Sequence, residues 1–243
     1  MDMLVMPESF IPFRVLPQII SICQKNQLAV VAGIEHIKIN NFIYNITAIV
    51  LPCINKYKEV HVFYHLKKHY SPEEKMLIEG HRLCPVKGKH YELYNWNDCW
   101  FPIYCCFELA SIADRALFQS YSDVLVAVEW NKDVNYYKHI IGSLSRDLHC
   151  YCIQVNSSNY GDSRITQPSK TELMNIICAK GGTNPTILID DISINDLREF
   201  QFKEYELQQR SQRFKYTPPQ FDKHILELKM QQKLWEVLKS KSR

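Results

Sequence analysis

At 243 residues, 46% hydrophobic and 23% charged, the chain has an ordinary globular composition and enough length for a sizeable core. A formal net charge of +3 is too small to argue for nucleic acid by itself, and no apolar run is long enough to cross a membrane. The opening MDMLVMPESF carries an acid and no basic region, which excludes a secretory signal, and the nine cysteines show no CxxC spacing, which argues against a zinc ribbon or disulfide framework and for free thiols in a reducing, cytoplasmic setting.

In chain order, MLVM (3–6) predicts a short buried strand, and FRVLPQIISICQKNQ (13–27) a helix with a proline near its start. Strands are predicted over 28–37, 42–52, 59–66 and 101–107, then a helix over 109–118. A strand over 123–130, a helix over 134–149 and strands over 150–156 and 186–192 follow. This alternation predicts an α/β domain whose sheets are covered by helices. After a proline-broken connector over 213–222, KHILELKMQQKLWEVLKSKSR (223–243) predicts one amphipathic helix. It serves either to pack on its own domain or to meet a partner.

Three stretches carry chemistry. IYCCFELASIADR (103–115) sets Cys105 and Cys106 where a strand gives way to a helix, and a thiol there can lie near helix N-terminal N–H groups that stabilise a thiolate. A cysteine nucleophile also needs a base and a group that holds the negative charge developing on substrate. MLVMPES (3–9) ends a hydrophobic strand in Pro7 and Glu8, and a carboxylate is costly to bury without a task. YHLKKHYSPEE (64–74) offers Lys67, His69 and Glu74 just after another strand. Taken alone, the cysteines read more readily as core filler and the 64–74 segment as a solvated basic loop.

In order, LVMPE, K-x-H-Y-S-P-x-E and C-F-E-L resemble the nitrilase superfamily, the carbon–nitrogen hydrolases. The segments RALFQSYSDVLVAVEWNKD (115–133), RDLHCYCIQVNSS (146–158), YGDSRITQP (160–168) and ILIDDISINDLREF (187–200) resemble later parts of the same domain, with Asp147 where an acid is usual. The resemblance covers about residues 1–200 and implies a four-layer α-β-β-α sandwich. It implies that Glu8 is the general base, Cys106 the nucleophile, Lys67 the oxyanion stabiliser and Glu74 a second acid that positions the others and relays protons. The implied activity is thiol hydrolysis of nonpeptide carbon–nitrogen bonds, of an amide rather than a nitrile, without cofactor or metal. Cys106 precedes Phe107-Glu108-Leu109 as the motif requires, and strand alternation then turns Cys105 to the core. Phe107, Trp130 and Asn131 are candidates for shaping the substrate pocket.

The family domain begins one strand and one helix before the Glu8 strand, so the resemblance implies that this pair is lacking. The expected division is an N-terminally incomplete hydrolase domain over 1–203, then a charged linker and amphipathic helix over 204–243. The style of 146–164 and the basic tail resembles nitrilase-type domains inside larger bacterial proteins, including some fused to reverse transcriptases in defence. A non-catalytic or regulatory module of such a protein therefore stands as the alternative. The expected partners are a small-molecule amide or nitrile and a homo-oligomer or larger-protein context, with no membrane and no nucleic acid. Among other residues, His69 either orients Lys67 or is an exposed loop histidine, Cys150 and Cys152 share a core-facing side, and Asp162 and Arg164 form an exposed pair across a turn.

Overall fold

The computed structural model describes residues 2–53, 57–180 and 186–241. In chain order the first half contains β1 (Met3–Ile11), α1 (Leu16–Asn26), β2 (Ala29–Ile34), β3 (Ile37–Ile39), β4 (Phe42–Tyr44), β5 (Ile46–Pro52), β6 (Val60–Leu66), α2 (Pro72–Gly80), β7 (Cys84–Pro85), β8 (Leu93–Trp96) and β9 (Cys99–Cys105). The second half contains α3 (Ile112–Ala116), β10 (Val124–Glu129), α4 (Val134–Asp147), β11 (Tyr151–Asn156), β12 (Ser163–Thr166), β13 (Asn175–Ala179), α5 (Ile194–Phe202), α6 (Tyr205–Gln208), α7 (Lys223–Met230) and α8 (Leu234–Lys241).

Two sheets form the body. One runs β1-β2-β5-β6 and the other β13-β12-β11-β10-β9-β8, while β3, β4 and β7 make a small separate sheet. Strand alternation assigns each face a partner. On β2 and β10, Ala29, Val31, Val124, Val126 and Val128 point into a core between the sheets, shared with Ile49, Phe101, Ile103 and Tyr151. The intervening Val30, Ala32 and Ile34 meet Leu16, Ile19 and Cys23 of α1. Leu125 and Ala127 meet Ile140, Ile141 and Leu144 of α4, with Cys150 and Cys152 on that same side. The result is the expected α-β-β-α order of layers. Near-continuous apolar runs such as VLVAVE follow from this, because these strands are covered on both faces.

Three predicted elements differ. The strand expected at 186–192 does not form: Ile187 and Ile189 are strongly exposed, and β13 closes that edge of the sheet instead. The helix expected over 109–118 is a 3-10 turn over Cys106–Ala110 followed by the short α3, whose N-cap Ser111 accepts from the Asp114 N–H. The single terminal helix is two, because Gln232 takes a left-handed φ of 57° between α7 and α8. Both of these helices bring apolar residues, Ile225, Leu228 and Leu234, against Trp100. Lys229 of α7 is fully buried; its Nζ donates to Asp123 at 2.9 Å, and Arg198 of α5 grips the same carboxylate through its Nε and Nη2.

The first strand shows how the fold presents Glu8. β1 is an outer strand of its sheet, so Pro7, which lacks an N–H, leaves no ladder bond unmade. Pairing with β2 shifts register between Met6 and Ile11, and Ser9 has a left-handed φ of 53°. Gly33 of β2 faces this irregularity: a Cβ there would lie 2.4 Å from the Glu8 Cα and 2.4 Å from the Pro7 carbonyl oxygen. Both are backbone atoms, which cannot swing aside. Gly33→Ala is therefore expected to cost about 2–3 kcal/mol and to displace Glu8. Chemical denaturation reads the first effect, and the alkylation rate of Cys106 the second.

Candidate active site

The parallel trio β9-β10-β11 ends with its C-terminal edges side by side, as Val128 pairs with Cys105 and Asn156 with Glu129. Cys106 and Trp130 leave the sheet together at that edge. Cys106 lies beyond the strand, on the 3-10 turn, with a left-handed φ of 47°. A non-glycine residue there stores strain of roughly 1–3 kcal/mol and marks a sharply turned elbow. The two cysteines are thus separated by this turn more than by strand alternation: Cys105 closes β9 inside the inter-sheet core, and Cys106 is half-buried, packed against that core from the turn. The Cys106 Sγ donates to the Trp130 carbonyl at 3.9 Å. Burial first, and Glu8 second, push its thiol well above the ordinary range, with Lys67 opposing. The resting group is a thiol that needs a base.

Lys67, the first residue after β6, is 1% exposed and places its ammonium between two carboxylates. Nζ donates to Glu8 Oε1 at 2.7 Å and to Glu74 Oε2 at 2.6 Å. Burial works against the charge, but Glu8 above all outweighs it and raises the Lys67 pKa well above its usual value. The lysine stays an ammonium, and two of its three protons are engaged. Glu74 stands in the first turn of α2, where Ser71 caps its N–H. Burial acts to raise its pKa, but His36, then Lys67 and Asn45, bring it down to about 2. Asn45, which the sequence does not single out, joins this cluster. Its Nδ2 donates to Glu8 Oε1 at 2.7 Å and to Glu74 Oε1 at 2.9 Å, spacing the two acids. The other Glu8 oxygen accepts the Trp130 N–H at 3.2 Å, which ties the two sheets at the site.

Of the pocket candidates, Trp130 is 51% exposed beside Cys106 and Phe107 is half-buried. Asn131 is engaged structurally: its backbone N–H and carbonyl bond the Asn156 side chain, and its Oδ1 accepts from Asp133. His69 pairs with Asp114 at 2.6 Å, and among the described residues no hydrogen bond joins it to Lys67. Arg164 is buried, bonded to Asp162 and Asn175, so that pair is interior rather than exposed. Sequence reasoning also passed over Glu129, fully buried at the end of β10; burial, eased by Gln154 and aggravated by Glu8, pushes its pKa up to about 8.

His65 of β6 is buried, with Glu108 at 2.9 Å and Glu92 at 3.2 Å on its two ring nitrogens. Burial disfavours its charge, but Glu108 and then Glu92 raise its pKa from 6.5 to about 9. A raised folded-state pKa contributes stability that is full below about 6.5 and is lost as pH rises to about 9. Glu74, whose pKa is lowered, contributes stability present above about 4.5 and lost as pH falls toward 2. Urea midpoints are expected to fall from pH 6.5 to pH 9.5, and His65→Gln is expected to flatten that decline.

No protein-family model matches the chain, and no curated protein does either. Solved structures do. A CN-hydrolase superfamily protein from Xanthomonas campestris, with an arsenic adduct in its active site, aligns with a TM-score of 0.60 at 13% identity over 82% of this chain and 81% of its own. An amidase from Nesterenkonia sp. aligns at 0.60 and 13% over 86% and 82%. Nit3 of Saccharomyces cerevisiae, a nitrilase-superfamily member, aligns at 0.58 and 15% over 74% and 73%. At such identities the likeness is one of fold, and it is consistent across all three. The chain therefore carries the α-β-β-α fold of the nitrilase, or carbon–nitrogen hydrolase, superfamily.

Proposed function

We propose that the protein is a thiol hydrolase of nonpeptide carbon–nitrogen bonds, acting on amides in preference to nitriles, with Glu8, Lys67 and Cys106 as its catalytic residues. The observation that carries this reading is the buried Lys67 ammonium, 2.7 Å from Glu8 and 2.6 Å from Glu74, in the field felt by a thiol on a left-handed elbow. Two acids, one lysine and one cysteine are an expensive set to bury without chemistry. A Glu-to-Gln mutant of the Nesterenkonia amidase shows covalent addition of the acetamide moiety of fluoroacetamide at its active-site cysteine, which supports a nucleophilic cysteine in this fold.

In this mechanism Glu8 takes the Cys106 proton as sulfur attacks the amide carbon. The oxyanion that forms is held by the third Lys67 N–H and by the backbone N–H that follows Cys106. Collapse breaks the carbon–nitrogen bond, and the proton held on Glu8 passes to the departing amine. Water then attacks the thioester, giving its proton to Glu8, and the acid leaves as the thiol is restored. Glu74, ionised down to about pH 2, acts as a fixed anion that positions Lys67 rather than as a proton relay.

Sub-stoichiometric iodoacetamide near neutral pH, mapped across all nine cysteines, tests the reading. The expected result is preference for Cys106 over the exposed Cys84, lost in Glu8→Gln and Lys67→Ala. Indiscriminate labelling of a cooperatively folded chain would favour a non-catalytic module instead.

A further inference from the structure

Glu108 and His65 play no part in the mechanism above, yet both are buried within one or two residues of its key groups. Glu108 is fully buried and accepts three hydrogen bonds. Its Oε2 receives the Cys105 N–H at 2.7 Å and faces His65 Nε2 at 2.9 Å, while Oε1 receives the Lys68 N–H at 2.6 Å. The two amides belong to the residue before Cys106 and the residue after Lys67. One carboxylate thus grips the backbone on which the nucleophile turns and the backbone from which the lysine projects.

A fully buried carboxylate needs a compensating cation. His65 is that cation by geometry. Each ring nitrogen faces a carboxylate oxygen, Glu92 on Nδ1 and Glu108 on Nε2, and both oxygens call for a donor. A neutral imidazole donates from one nitrogen only; an imidazolium donates from both. The ring is held flat by Tyr91, stacked at 5.7 Å, and the Lys68 ammonium lies over the opposite partner of that stack at 4.8 Å from the Tyr91 centroid. Lys68 in turn pairs with Asp114 of α3 at 2.9 Å, so a second ionic contact fastens the segment after Lys67 to the segment after Cys106.

We infer that His65 and Glu108 are a positioning pair that sets the Cys106 elbow against the Lys67 strand, so that thiol and ammonium act on the same substrate atom. The pair touches neither substrate nor reacting atoms. It acts through two backbone amides, and a substitution that removes the donor while filling its space loses alignment before it loses the fold. This inference rests on the hydrolase reading.

The test is the ratio of Cys106 to Cys84 alkylation by iodoacetamide on the full chain, with thermal melts in parallel. His65→Phe keeps the ring's volume and its stack on Tyr91 but donates nothing to Glu108. It is expected to lower the ratio at least tenfold while still melting cooperatively. His65→Gln, whose amide N–H falls near the position of Nε2–H but carries no charge, is expected to recover part of the wild-type ratio and to exceed His65→Phe; a purely space-filling role would favour Phe over Gln. Should His65→Phe fail to fold, Glu108→Gln decides by the same ratio, since it keeps an acceptor for a backbone amide and removes the charge that His65 balances. A wild-type ratio unchanged in the variants overturns this inference alone. A wild type with no Lys67-dependent preference for Cys106 overturns the hydrolase reading, and this inference with it.

Discussion

Cys106→Ala is expected to remove amide turnover, by on the order of 10⁶-fold for loss of a nucleophile, while the melting temperature stays within a few degrees of wild type. The asymmetry follows from where the side chain sits. Cys106 is half-buried on a turn, and its thiol's hydrogen bond among the described residues is a long one, to the Trp130 carbonyl. Alanine at a φ of 47° carries the same backbone strain as cysteine, so the elbow loses nothing further. Cys105→Ala is the control with the opposite signature. It opens a space in the inter-sheet core, lowers the melting temperature and leaves the chemistry in place. Steady-state turnover of a simple amide, read beside thermal melts for both variants, checks the pair. Full hydrolysis by Cys106→Ala would sink the mechanism.

Lys67→Met is expected to damage both rate and stability. The rate should fall by roughly 10²–10³-fold, because the donor aimed at the developing oxyanion is gone. The stability loss is about 3–5 kcal/mol, because methionine leaves Glu8 and Glu74 buried without their cation. Those two acids share Asn45 Nδ2 as well as Lys67, so they stand close enough to repel. One of them should then bind a proton at neutral pH, and the variant should regain stability as pH is lowered toward 5. Wild type should gain less over the same range, because its Glu74 stays ionised down to about pH 2 and its gain comes only from groups such as His65 and Glu129, which the variant keeps. Urea denaturation at pH 5 and pH 7.5 distinguishes the two behaviours.

The sequence carried the layered α/β architecture because its strands are apolar on both faces and its helices on one, a pattern visible in VLVAVE and in LPQIISICQKN. Short motifs at strand ends single out Glu8, Lys67, Glu74 and Cys106 as candidates, and the fold brings Lys67 within hydrogen-bond reach of both acids. The less legible residues are those whose meaning depends on a distant partner. Asn45 and His65 each sit in or beside an apolar strand, and only contacts with elements distant in sequence reveal the carboxylates they serve. ILIDDI reads as a strand by composition, but a strand also needs an edge to join, and β13 occupies it. Gln232 gives no local warning of a break, because glutamine favours helix; the left-handed turn follows from docking Leu234 on Trp100.

The buried carboxylate of Asp123 also bears on how the chain is made. It immediately precedes β10, the strand that leads to Trp130, and its cations arrive late: Arg198 is 75 residues downstream and Lys229 is 106. At ordinary translation rates the second gap is roughly 5–20 s of ribosome time. Until Lys229 has cleared the exit tunnel, the central strand cannot be buried with its charge fully balanced. Full charge balance on this strand is thereby reached only after Glu8, Lys67, Glu74 and Cys106 have all been synthesised.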